Sequence, residues 1–223
     1  MTAFESLLVI FDLDGTLVDS AGDICLAVNG LLQEREAEPL SVETVRGFVG
    51  EGARRLVEKL LQVRPAAGDD VDSVLTRFLA IYEEMPTTHT VPYPGVRATL
   101  DRLVASGASL AVCTNKPGGP TANVLRDLDL AHFFRIVIAG DTLPVRKPDP
   151  ITIETIASRL GFDIRAAVLV GDSEVDGATA GAAGIPFVLM TYGYHHSPVE
   201  AIPATHRLDR FAELLEILPL RAG

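Results

Sequence analysis

Five short apolar runs punctuate the chain without any alternation of polar positions: LLVIF (7–11), SLAVC (109–113), RIVIAG (135–140), AAVLVG (166–171) and PFVLM (186–190). Continuous apolar runs of this length, bounded by Gly, Asp or Pro, predict strands covered on both faces, as in a parallel sheet. Between and after the last four runs the apolar period changes to that of a helix. Val96, Leu100, Leu103 and Val104 share one face, as do Val124, Leu125 and Leu128, and then Ile153, Ile156, Ala157 and Leu160. After the last run, Leu208, Phe211, Leu214, Leu215 and Leu218 recur at helical spacing, predicting a closing helix. Strand and helix in alternation imply an α/β fold, a doubly wound parallel sheet with right-handed crossovers and a Rossmann-like core.

Residues 19–88 break this alternation. No strand-like run occurs there, and three helical stripes replace it. They are Ile24, Ala27, Val28, Leu31 and Leu32; then Leu56, Val57, Leu60 and Leu61; then Val71, Val74, Leu75, Phe78, Leu79 and Tyr82. Pro39, Gly50, Gly52, Pro65 and Gly68 separate the stripes. The expected organisation is a core domain of residues 1–18 and 89–223 with an all-helical insert at 19–88. An insert of about seventy residues is marginal alone and should dock on the core. The expected hinges lie near Val18 and Asp19 and in residues 86–94.

The chain of 223 residues is long enough to bury a large core without disulfide or metal staples. With 19 Lys+Arg against 30 Asp+Glu, its formal charge of −11 disfavours nucleic acid and anionic membrane surfaces as partners. A small phosphorylated ligand stays compatible, because one bound cation and one lysine reverse the potential inside a pocket. The two cysteines, Cys25 and Cys113, read as buried hydrophobes of a reducing compartment, and no C-x-x-C pattern supports zinc or dithiol chemistry. The amino-terminal stretch has neither a basic region nor an apolar run of membrane-spanning length, so a cytoplasmic location is expected.

In an open parallel sheet, ligands bind beyond the carboxyl ends of the strands. The residues following the apolar runs are therefore the candidates for chemistry. The first run leads into Asp12, Leu13, Asp14, Gly15 and Thr16; the second into Thr114, Asn115 and Lys116; the fourth into Asp172, Ser173, Glu174, Val175 and Asp176. Arg146, Lys147 and Pro148 follow the third at a short distance. Asp12, Asp14 and Asp172 supply hard oxygen ligands, which favour Mg²⁺ over zinc. An aspartate also serves as a nucleophile toward phosphorus, provided that a cation offsets the repulsion and donors surround the transferring oxygens. Thr114, Asn115 and Lys147 offer a hydroxyl, an amide and an ammonium, and Asp14 has the chemistry to protonate a leaving alcohol.

These segments carry a family resemblance. FDLDGTLVDS (11–20) resembles the nucleophile motif of the haloacid dehalogenase superfamily, TNKP (114–117) its second motif, RKPDP (146–150) its lysine motif, and GDSEVD (171–176) its acidic metal motif. The helical insert after the first motif resembles the four-helix cap of that superfamily. The resemblance implies a Mg²⁺-dependent phosphatase with an aspartyl-phosphate intermediate. It implies Asp12 as nucleophile and metal ligand, Asp14 as acid/base with its backbone carbonyl on the metal, and Asp172 as a further ligand. Thr114 and Asn115 would hold the phosphate, Lys147 would neutralise it, and Asp176 would support Lys147 or a metal-bound water.

Within the insert, VRGFVGEGARRLVEKLL (45–61) has a V-G-x-G-A core that resembles the cap loop of phosphoglycolate phosphatases, as does GDTLPVRKPDP (140–150). A Gly-rich loop opening a helix offers N–H groups to an anion. Arg54 or Arg55 is the expected counter-charge for a substrate carboxylate. The expected activity is hydrolysis of a small phosphate monoester, 2-phosphoglycolate first, by a monomer or homodimer. The rivals are a sugar-phosphate phosphatase or phosphomutase of the same superfamily, and a catalytically silent binding module with the same fold. The pair His195 and His196 reads as loop, since neighbouring side chains diverge and no ligand spacing accompanies them.

Overall fold

The computed structural model describes residues 7–219, so the outermost six and four positions of the expected core segments lie outside the described residues. Along the chain, β1 (Leu8–Phe11) and the short β2 (Val18–Asp19) lead into α1 (Ala21–Glu34), α2 (Val42–Arg46), α3 (Ala53–Val63) and α4 (Val71–Glu84). Then come β3 (Val91–Pro92), α5 (Val96–Ala105), β4 (Ser109–Cys113), α6 (Gly118–Asp127) and β5 (Ile136–Ile138). The chain continues with α7 (Ile151–Leu160), β6 (Ala167–Gly171), α8 (Glu174–Ala183), β7 (Phe187–Met190), β8 (His206–Leu208) and α9 (Leu214–Ile217).

Six strands form one sheet in the order β5-β4-β1-β6-β7-β8, and every pairing is parallel. The apolar runs are unbroken because each strand feeds two cores. Successive side chains point to opposite faces. Val9, Phe11, Leu110, Val112, Val168, Val170, Val188 and Met190 enter the core shared with α5, α6 and α9. Leu8, Ile10, Ala111, Cys113, Ala167, Leu169, Phe187 and Leu189 enter the core shared with α7 and α8.

The four helices between β2 and β3 have a third apolar cluster of their own. Ile24, Val28 and Leu31 of α1 meet Leu56, Val57 and Leu60 of α3 and Val74, Phe78 and Tyr82 of α4. Helix α4 starts cleanly because Asp70 accepts the Ser73 N–H at 2.9 Å, removing one orphan donor of the first turn. β2 and β3 pair antiparallel, so the two segments expected as hinges run side by side (Val18 opposite Pro92, Asp19 opposite Val91). Among the described residues, no helix is long and apolar enough to cross a membrane.

Two details correct the periodicity reading. Leu208 lies in a strand, not a helix: β8 pairs with β7, and the Thr191 N–H donates to the Leu208 carbonyl. A 3₁₀ turn (Phe211–Glu213) and the four-residue α9 then bury Phe211 and Leu214. The spacing of Leu208 and Phe211 imitates a helix because strand and turn both send apolar groups into one core. Val104 is 46% exposed, so the α5 stripe consists of Val96, Leu100 and Leu103.

Candidate active site

β4, β1 and β6 are adjacent and parallel, so the residues that follow them reach the same edge of the sheet. Asp12, Thr114 and Asp172 arrive there directly, all three buried. Lys147 reaches the same place from the loop before α7. Its ammonium lies 3.0 Å from Asp12 Oδ1 and 2.6 Å from Asp176 Oδ1. The expected convergence of Asp12, Lys147, Asp172 and Asp176 is therefore a geometric fact of the fold.

Asp176 owes its place to the start of α8. Ser173 caps that helix, and the Asp176 carboxylate reaches back to the Ser173 N–H at 3.1 Å and hydroxyl at 2.6 Å. The Asp172 N–H donates to the same oxygen at 3.3 Å. Both Asp176 oxygens are thus engaged, one by the cap and one by Lys147. Asp172 is held by the Thr16 hydroxyl at 2.7 Å and the Tyr194 N–H at 2.6 Å.

Burial dominates the electrostatics. It pushes the Asp12 carboxyl up to about 7, with the Lys147 ammonium opposing and Asp176 reinforcing the rise. Burial, with the charges of Asp176 and Asp12, pushes Asp172 well above the usual carboxylate range. For Lys147 burial acts downward, but Asp12 and Asp176 outweigh it and hold the ammonium above its ordinary value. Three carboxylates around one lysine leave a local excess of negative charge.

A hard divalent cation fits that excess. Oxygens of Asp12, Asp172 and Asp176 lie within 4.8 Å of one another, and all are hard donors. Gly15 makes room for the approach: a Cβ there would stand 2.2 Å from Asp172 Oδ2, and its φ of +85° suits glycine. With Asp176 committed to Lys147 and the helix cap, Asp12 and Asp172 are the carboxylates with capacity left for an ion.

Asp14 points the other way. Its carboxylate accepts the Ser20 hydroxyl at 2.5 Å and the Lys116 ammonium at 2.8 Å. It lines a cavity between the sheet edge and the helical layer. Asp12, Asp14, Thr114, Asn115 and Lys116 form one wall; Ile24, Val49, Gly50, Gly52, Ala53, Leu56, Phe78 and Tyr82 form the other. The loop 49–53 therefore faces the acidic cluster.

Asn115 and Arg54 are arranged differently from expectation. The Asn115 amide donates to two carbonyls, Gly50 and Lys147, both at 3.1 Å. Its carbonyl oxygen is buried without a protein partner. It therefore clasps the 49–53 loop to the lysine loop and turns an acceptor, not a donor, to the remaining space. Arg54 does not line the cavity; it is half exposed and bonded to Asp72. Its neighbour Arg55 pairs with Glu51 and Glu58. Arg54 is thus held across to α4 by Asp72, and Arg55 is held by Glu51 and, within α3, by Glu58.

Four residues at the site had no assigned role in the sequence reading. Thr16 and Lys116 stand inside the quoted motifs, beside the positions to which the motifs assign roles. Tyr82 belongs to an apolar helical stripe, and its hydroxyl meets Lys116; burial raises the phenol to about 12 despite that ammonium. Tyr194 has no sequence signal, yet its hydroxyl accepts the Ser20 N–H at 2.8 Å and lies 2.5 Å from Asp19. The nearby His195 and His196 bond only loop carbonyls and Glu174, in keeping with a loop role.

Comparison with known proteins converges on one family. Residues 9–190 match the family model of haloacid dehalogenase-like hydrolases. The phosphoglycolate phosphatase of Cereibacter sphaeroides (strain ATCC 17029 / ATH 2.4.9) is 42% identical over 212 residues, spanning 94% of this chain and 96% of the relative. That of Rhodospirillum rubrum is 44% identical, spanning 92% and 88%. Among solved structures, one described as a predicted phosphoglycolate phosphatase from Haemophilus somnus 129pt superposes with a TM-score of 0.88 at 32% identity, covering 95% of this chain and 97% of that one.

Proposed function

The chain belongs to the haloacid dehalogenase-like hydrolases, and on that premise we propose that it is a Mg²⁺-dependent phosphatase acting on 2-phosphoglycolate through an aspartyl-phosphate on Asp12. The observation that carries this reading is the pairing of Asp12 with Lys147 at 3.0 Å, beside Asp172 and on the wall of a cavity that Asp14 also lines. The 2-phosphoglycolate choice rests on the similarity to the relatives named above.

In this mechanism, Asp12 and Asp172, with the Asp14 backbone carbonyl, would hold Mg²⁺. When bound, the ion supplies positive charge that lets a phosphate dianion approach a carboxylate. A carboxylate oxygen of Asp12 attacks phosphorus and the bond to the glycolate oxygen breaks. Asp14 gives a proton to that departing oxygen. Asp14, now ionised, removes a proton from the water that attacks the same phosphorus, and Asp12 leaves as a free carboxylate. Lys147 offsets the phosphoryl charge, held for that task by Asp176. Thr114 contributes its hydroxyl to the phosphoryl oxygens.

Residues 19–88 are read as a cap over a core of 1–18 and 89–223, with the 49–53 loop closing on the phosphoryl site. The free, buried thiols Cys25 and Cys113 suit a cytoplasmic enzyme.

Phosphate release with Mg²⁺ across 2-phosphoglycolate, sugar phosphates and nucleoside monophosphates tests the activity. Rapid acid quench tests the intermediate: wild type should retain a phosphoryl group on protein, and Asp12→Asn should retain none and turn over nothing. Near wild-type turnover by Asp12→Asn would remove the nucleophile assignment. A clear preference for a substrate without a carboxylate would remove 2-phosphoglycolate.

A further inference from the structure

The cavity next to Asp12 contains one cationic side chain, Lys116, among its lining residues. The arginines of the helix above it are taken by Asp72, Glu51 and Glu58, and Lys59 pairs with Glu51 at 2.7 Å. Lys147 is claimed by Asp12 and Asp176. Lys116 is buried to 5% exposure, opposite the apolar wall, and burial of an ammonium is costly unless it is paired. It bonds to Asp14 at 2.8 Å and to the Tyr82 hydroxyl.

Those contacts use two of the three ammonium donors. The Tyr82 oxygen accepts from Lys116, so its own proton is free to point elsewhere. An ammonium and a phenol hydroxyl side by side form a two-donor site for the two oxygens of a carboxylate. The surrounding wall is apolar, with Ile24, Leu56 and Phe78. Such a wall offers no further polar partners, so the site favours a short anion paired with Lys116 over a neutral polar group.

We propose that Lys116, with Tyr82 beside it, is the group that reads the substrate's carboxylate, selecting short phosphate monoesters whose alcohol carries an acid. The proposal rests on the reading of this cavity as that of a 2-phosphoglycolate phosphatase. It replaces the arginine expected at position 54 with a lysine from the opposite wall.

The test compares 2-phosphoglycolate with ethyl phosphate, which has the same length and no carboxylate, in the Mg²⁺-loaded full chain. Wild type should prefer 2-phosphoglycolate by about 100-fold or more in kcat/KM. Lys116→Met should reduce that ratio at least tenfold, chiefly through KM for 2-phosphoglycolate, and should weaken competitive inhibition by glycolate. Tyr82→Phe should move the ratio the same way by less, while Arg102→Gln, an exposed cation of α5 outside the cavity lining, should not move it. Because Lys116 also touches Asp14, the ratio is the readout: a general loss of turnover cancels in it.

Equal losses on both esters would show that Lys116 acts only on Asp14 and would overturn the proposal. So would an unchanged ratio, or an Arg102→Gln variant that loses it. Wild type that hydrolyses both esters equally well overturns the proposal and leaves the phosphatase reading standing. Wild type that hydrolyses neither overturns both. Thermal melting and circular dichroism establish that each variant is folded, and phosphate inhibition reports on the phosphoryl site without turnover.

Discussion

The Lys147 ammonium lies 2.6 Å from the Asp176 carboxylate, which sits 29 positions later on a different element. The two side chains are fully buried, so the pair is shielded from salt and water. Asp176 in turn is fixed by the Ser173 cap. The placement of the cation beside Asp12 thus depends on how α8 begins. Asp176→Asn removes the charge and keeps the volume. It should cost about 3 kcal/mol in urea unfolding, because a buried ammonium loses a partner. It should also lower kcat by at least about tenfold, as Lys147 loses its anchor. A variant with unaltered stability and turnover would show that Asp12 alone positions Lys147.

Gly15 packs against Asp172, one of the carboxylates of the proposed ion site. At φ +85°, an added Cβ would meet the Asp172 carboxylate at 2.2 Å. Gly15→Ala should therefore displace Asp172 and weaken ion binding. In wild type, Mg²⁺ at about 100 times its Kd adds roughly 2.7 kcal/mol of stability, a rise of about 5 °C or more in Tm for a chain of this size. The variant should lose most of that rise. A melting curve with the wild-type Mg²⁺ response would refute the role of Gly15.

Asp23 predicts the acid limb of stability. It is buried on α1 and accepts N–H groups from Thr88 at 3.1 Å, His89 at 2.9 Å and Thr90 at 2.9 Å, and the Thr90 hydroxyl at 2.6 Å. Burial alone would raise the carboxyl, but the Thr90 hydroxyl and the backbone donors outweigh it and lower its pKa. A group lowered on folding favours the native state most when ionised. Its contribution is complete above about pH 4, the unfolded value, and fades as pH falls through the lower native value. Asp23→Asn should cost about 2 kcal/mol at neutral pH and flatten the loss of stability below pH 4. Parallel acid denaturation curves for the two proteins would contradict this.

Much of the architecture was legible before any coordinates. Runs covered on both faces are apolar at every position, and so the four interior strands announce themselves, as does the all-apolar edge strand β5. β8 did not, because its sequence is His-Arg-Leu with Leu208 as its one apolar side chain, and the following turn mimics a helical period. Asp12, Lys147, Asp172 and Asp176 were legible because strand order brings strand ends together. The direction of side chains was not. Whether Arg54 turns to the cavity or to Asp72, and whether Asn115 offers its nitrogen or its oxygen, depends on contacts between residues 18 to 65 positions apart. Lys116 gives no sequence signal for the same reason: a lysine in a loop normally faces water, and burial here depends on Tyr82 of α4, 34 residues away.

Asn115 is the residue where closure and chemistry meet. Its amide nitrogen joins the Gly50 carbonyl of the helical layer to the Lys147 carbonyl of the core, each at 3.1 Å. Cutting this clasp leaves Asp12 and Lys147 in place, since their own contacts are elsewhere. It frees the 49–53 loop and exposes two carbonyls that had shared one donor. Asn115→Ala should therefore raise KM for 2-phosphoglycolate about tenfold, with kcat reduced less, the pattern of lost binding common to ground and transition states. The phosphoryl-protein trapped by acid quench should persist. Loss of trapping with KM unchanged would mean that Asn115 acts on the phosphoryl group itself, and the buried carbonyl oxygen would then be the atom to pursue.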